Sequence, residues 1–74
     1  HYAIVNVADL AAFEAGSVVD FAALKAAGLV KKELDGLKVL GEGELNVALT
    51  VKAAKFTQTA REKIEAAGGK AEVI

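Results

Sequence analysis

The chain has no cysteine, no proline, no methionine and no tryptophan. Without cysteine there is no disulfide to staple a small fold and no thiolate zinc site. No apolar run approaches the ~18 residues needed to span a bilayer as a helix. No basic segment followed by an apolar one reads as a secretory signal. Histidine occurs once, at His1, and serine once, at Ser17, so a serine–histidine or histidine–metal constellation has no material. Glycines are followed nowhere by a Lys-Ser/Thr phosphate loop. The glycine-rich run Gly41-Glu42-Gly43-Glu44 carries acids that repel phosphate. Gly68-Gly69-Lys70 follows a helix, at the end of the dipole that disfavours anions. A turn and a helix cap account for both, and no cofactor or metal site is expected.

What is present is a 74-residue chain with a 54% hydrophobic fraction, enough for one small domain. A domain of this size buries roughly 60% of the surface its unfolded chain exposes. The chain opens on His1 without methionine, which predicts a piece of a longer protein. Formal net charge is −1, unlike that of a dedicated nucleic-acid binder. The charge is uneven. Residues 1–30 hold Lys25 against Asp9, Glu14 and Asp20, whereas residues 31–74 hold eight bases against seven acids.

The most informative stretch runs from Lys38 to Gly68 and reads as a strand pair, a basic edge and a capped helix. Val47, Leu49, Val51 and Ala53 alternate with Ala48, Thr50 and Lys52, the period of a half-buried strand. Thr57 offers an N-cap hydroxyl, with Thr59 and Glu62 as a competing capping box. Ala60, Ile64 and Ala67 form an inward stripe, and Gly68 or Gly69 closes the helix at positive φ. Upstream, Tyr2–Val7 is a strand, Asn6 and Asp9 start a short helix that Gly16 ends, and Val18-Val19 is a brief extended piece. Asp20 caps a second helix with Phe21 and Leu24 inward, closed at Gly28. Asp35-Gly36 turns the chain into Leu37–Leu40, and Ala71–Ile74 is a last strand. Strands alternating with helices predict an α/β domain with parallel pairing across the connections. No repeat of fixed period is visible, so no solenoid is expected.

From Leu45 to Arg61 there is no acid, and Lys52, Lys55 and Arg61 lie in that run. Lys52 points outward from its strand, Lys55 follows in a loop, and Arg61 sits near the helix start. Cations beside free helix N–H groups suit phosphate contact. A solvated, aggregation-resistant edge is the bland alternative. Lys31, Lys32 and Lys38 are lesser candidates, because Glu33 and Asp35 lie among them.

These residues carry a resemblance. Lys38, Val39-Leu40, Gly41, Gly43, Leu45, the strand Leu49-Thr50-Val51, then VKAAKF, Thr57, Ala60, Ile64 and Gly68 occur in the order of the bacterial large-subunit ribosomal protein fifteen family. VNVADL, LKAAGL and AGGKAEVI extend the likeness over essentially the whole chain. Two departures are Ala54, where relatives often carry histidine, and Phe21, where proline is frequent. The resemblance implies the family's C-terminal globular half: a small, irregular α/β domain of repeated strand-strand-helix turns with short, partly parallel strands. It implies that a basic N-terminal extension belongs upstream. It implies a non-enzymatic, cytoplasmic constituent of the large ribosomal subunit that binds large-subunit ribosomal RNA and neighbouring ribosomal proteins, without membrane or small-molecule substrate. A protein–protein interaction module and an accessory domain of a larger enzyme are the rival readings, and the upstream sequence would separate all three.

Overall fold

A computed structural model describes all 74 residues. Six short strands are present: β1 (Ala3–Asn6), β2 (Val18–Val19), β3 (Leu37–Leu40), β4 (Thr50–Ala53), β5 (Lys55–Phe56) and β6 (Lys70–Val73). A 3₁₀ helix spans Val7–Ala12, and two α-helices, α1 (Phe21–Ala26) and α2 (Gln58–Ala66), complete the set. Odd-numbered strands form one sheet in the order β1-β3-β5, and even-numbered strands form another in the order β2-β4-β6. Every ladder in both sheets is parallel. The small α/β domain expected from the alternation of strands and helices is therefore present.

The chain passes from one sheet to the other and back, so it winds through three turns. The repeated strand-strand-helix turns implied by the resemblance are thus present, and no fixed period marks them in the sequence because the turns are unequal. Val39 lies opposite Val5 on one side and Phe56 on the other, so one turn is about twice as long as the next. In the short turn Ala54 alone separates β4 from β5, and its N–H donates to Leu37 O at 2.9 Å. The expected pair of β3 with the long strand does not form: those strands lie in different sheets, and β3 pairs with β5 instead. The long strand itself is regular only over Thr50–Ala53.

The helices start where the caps stand. Asp20 Oδ1 accepts from Ala23 N at 2.9 Å, and Thr57 Oγ1 accepts from Ala60 N at 3.1 Å. Thr59 lies inside α2, so its competing cap is not used. Asp9 accepts from Asn6 N at 2.9 Å and opens the first helix, which is 3₁₀ and stops at Ala12, before Gly16. Both α-helices close with a left-handed glycine: Gly28 at φ +79° and Gly68 at φ +90°. Beyond them Leu29 N donates to Leu24 O and Gly69 N to Ile64 O, the longer bond of a Schellman closure. Inside, Val5, Val7, Leu10, Val19, Leu24, Val39, Leu49, Val51 and Ile64 are fully buried. No helix is long and apolar enough to cross a membrane.

Candidate nucleic-acid interface

Strand parity decides which cations can act together. On β1 and β3 the inward residues Ala3, Val5, Leu37 and Val39 are buried, and the residues between them face out. Register places Ile4 beside Lys38 and Lys38 beside Lys55. Tyr2 belongs to the same outer face: Lys55 Nζ lies 5.6 Å from its ring centroid. At that distance a cation on a ring contributes about 0.5–1 kcal/mol when exposed. Lys55 is thus a strand residue in β5 rather than a loop residue, and it is exposed.

The three cations of the acid-free run do not form one cluster. Lys52 lies in the other sheet, opposite Glu72 in the register of β4 and β6. It also lines a hollow of about 280 Å³ with Glu33, Asp35, Phe21 and Ile74. Arg61 turns inward to the join between β5 and β6. Its guanidinium carbon is 5.4 Å from the Phe56 ring centroid, and Nη1 donates to Ala71 O at 3.4 Å. The N-terminus of α2 has one of its N–H groups taken by Thr57. Lys31 and Lys32 are exposed in the segment between α1 and β3, followed by Glu33 and Asp35. Folding therefore joins Lys55 to Lys38, which the sequence ranked lower, and separates it from Lys52 and Arg61.

One base has an internal role that the sequence does not signal. Lys63 Nζ donates to Gly41 O at 2.7 Å and to Gly43 O at 2.6 Å. Ala8 N donates to Glu42 O from the opposite side at 3.1 Å. A Cβ on Gly41 would stand 2.6 Å from Thr59 Cβ, and one on Gly43 2.3 Å from Ala8 Cβ. Residues 41–44 are consequently clamped between the 3₁₀ helix and α2, which subtracts Lys63 from the cations free to meet a partner. Of the two departures from the family pattern, Ala54 and Phe21, both line the hollow beside Lys52. No group of three or more histidine, aspartate or glutamate side chains is gathered to hold a metal.

Comparison with known proteins adds an independent finding. Residues 4–72 match the family model described as ribosomal proteins 50S-L15, 50S-L18e and 60S-L27A. The chain is 68% identical over 73 residues to a protein of Lactobacillus delbrueckii subsp. bulgaricus named large ribosomal subunit protein uL15, with 99% of this chain and 50% of that protein covered. It is 65% identical over 74 residues to the protein of that name in Syntrophotalea carbinolica, at the same coverage. The protein of that name in Geotalea uraniireducens is 53% identical over 73 residues, again at the same coverage. The chain spans about half the length of the curated relatives it matches.

Proposed function

The chain belongs to the family of ribosomal proteins 50S-L15, 50S-L18e and 60S-L27A, and from that premise we propose that it is a structural constituent of the large ribosomal subunit in the cytoplasm. It catalyses no reaction. It binds large-subunit ribosomal RNA and adjoining ribosomal proteins and supports subunit assembly, as the globular half of a protein whose basic extension lies upstream. The observation that carries this reading is a family match from residue 4 to residue 72, which leaves almost nothing of the chain to another activity.

RNA contact falls first to Lys55, Lys38, Lys31 and Lys32; Lys52, on the other sheet opposite Glu72, and Arg61, turned toward Phe56 and Ala71, are secondary contacts on other surfaces. Double-helical RNA presents phosphates and 2′-hydroxyls rather than readable base edges. Point cations on a firm sheet suit that task better than a base-reading pocket. The test is sedimentation of the native protein through a high-salt gradient. Migration with the large subunit is expected; a protein found wholly in the free pool refutes the reading.

A further inference from the structure

Resting on that assignment, we infer that the outer face of the β1-β3-β5 sheet is where the domain meets RNA, and that its centre is the lysine pair Lys38 and Lys55 seated on the phosphate backbone. The two lysines are register partners on adjacent strands. Neighbouring strands stand about 4.8 Å apart, and like charges directly opposite one another destabilise a sheet. In a free protein such a pair calls for a nearby acid. No outward position of this sheet supplies one, neither Tyr2 just before β1, Ile4 and Asn6 on β1, Lys38 and Leu40 on β3, nor Lys55 on β5, and the acid at its edge, Asp35, is paired with the His1 ammonium.

The second sheet provides an internal contrast. There the outward lysine of the central strand, Lys52, stands opposite Glu72, and Glu33 and Asp35 share its hollow. One face is compensated within the chain and the other is left positive. A polyanion supplies what the open face lacks, and the family's ribosomal setting makes RNA that polyanion. Lys55 is exposed and Lys38 half-buried, with Ile4 beside Lys38 at 48% exposure. An occupant of this face covers apolar surface as well as charge. Lys55 has its Nζ steered over the Tyr2 ring, which limits the wandering of a long side chain before binding.

The experiment uses the intact protein as it occurs in the cell, large-subunit ribosomal RNA as the probe, and three variants: Lys38→Gln with Lys55→Gln, the same pair changed to Arg, and Lys52→Gln. Affinity is measured across a salt series. Each phosphate contact contributes about 0.7–0.9 to the log–log slope, so the double Gln variant loses about 1.4–1.8 from the slope of the parent. The Arg pair keeps the parental slope, and Lys52→Gln changes it by less than half as much as the double variant. A double Gln variant with the parental slope overturns the inference, as does a Lys52→Gln variant with an equal loss. Subunit incorporation lost with the RNA slope intact would assign the face to an acidic protein and equally overturn it. Thermal melting of a fourth variant, Lys38→Gln alone, checks the premise of uncompensated charge: it melts at or above the parent, and a lower Tm overturns it. Failure of the parent itself to sediment with subunits would instead refute the ribosomal assignment, so the two failures are distinguishable.

Discussion

Gly68 and Gly69 are adjacent, and replacing each by alanine should destabilise for a different reason and by a different amount. Gly68 sits at φ +90°, and a Cβ there would meet only Ala48 Cβ at 3.6 Å, an ordinary contact. The cost of Gly68→Ala is therefore conformational, about 1–2 kcal/mol for an L-residue in the left-handed region. Gly69 has no positive φ, but a Cβ there would stand 2.1 Å from Leu49 O and 2.8 Å from Leu49 N. Those are backbone atoms at the entry to β4, and Leu49 O also accepts from Lys70 N at 2.8 Å to begin the β4–β6 ladder. Relief requires the strand to move. An overpacking cost of about 1–3 kcal/mol and a weakened hydrogen bond of about 1 kcal/mol together give roughly 3 kcal/mol. A chain of this length has about 4–11 kcal/mol of stability in all. At about 4–8 °C per kcal/mol for a domain of this size, Gly68→Ala lowers Tm by roughly 4–16 °C and Gly69→Ala by roughly 12–24 °C. Gly68→Asn should recover part of its loss, because asparagine tolerates the left-handed region; no such rescue is expected at Gly69. Gly68→Val falls below Gly68→Ala. The assay is thermal unfolding followed by circular dichroism. The reasoning is refuted if Gly69→Ala melts with the parent, or if Asn rescues Gly69 and not Gly68.

Lys63→Met retains the aliphatic stem but removes two donors to Gly41 O and Gly43 O; a loss of about 1–3 kcal/mol is expected, with faster amide exchange confined to residues 41–46, and unchanged exchange there would count against the clamp. Thr57→Ala should cost about 1 kcal/mol through the lost cap on Ala60 N, whereas Thr59→Ala, which removes no cap, should cost less; equal melts would reject the choice between them. The 74 residues alone should bind ribosomal RNA weakly, with a log–log salt slope of roughly −2 to −3, and a longer basic chain should steepen it; equal slopes would place all of the binding in this domain.

Local features were legible in the sequence where one or two residues decide them. Asp20 and Thr57 cap because their side-chain oxygens reach an N–H three residues on, and Gly28 and Gly68 close helices because few other residues accept their φ. Strand parity was legible for the same reason: Leu49, Val51 and Ala53 are buried as their alternation predicts. Strand partners were not, because pairing joins residues far apart in the chain, such as Ala3 with Leu37 and Thr50 with Lys70. Unequal turns erased any fixed period, so the repeated turns were implied by the resemblance and not by periodicity. The basic site suffered from the same blindness. Lys52 and Lys55 are neighbours in sequence, but the chain changes sheets at Ala54 between them, and they finish on different surfaces. Lys38 and Lys55 are distant in sequence and adjacent in the fold. Tyr2 was legible only as the start of the strand Tyr2–Val7; its place under Lys55 required the sheet.

A net charge of −1 taken alone argues against RNA, yet net charge sums over surfaces that a partner never touches together. At physiological ionic strength the potential of an exposed charge decays over about 8 Å, whereas the domain measures 28 × 23 × 20 Å. Acids on one side are therefore largely invisible from the other. What a phosphate approaching the β1-β3-β5 face meets is set by the side chains within one decay length: the outward strand positions carry lysines and neutral residues, and Asp35 at the edge is paired with the His1 ammonium. Placing Glu33 beside Lys52, Glu72 opposite it and Asp35 against the His1 ammonium lets the chain hold ten acids while leaving the outward row of one sheet positive. The parallel winding makes that segregation possible. It aligns outward positions from three separate stretches, so that a lysine from each of two turns reaches the same row without any acid between them in the sheet.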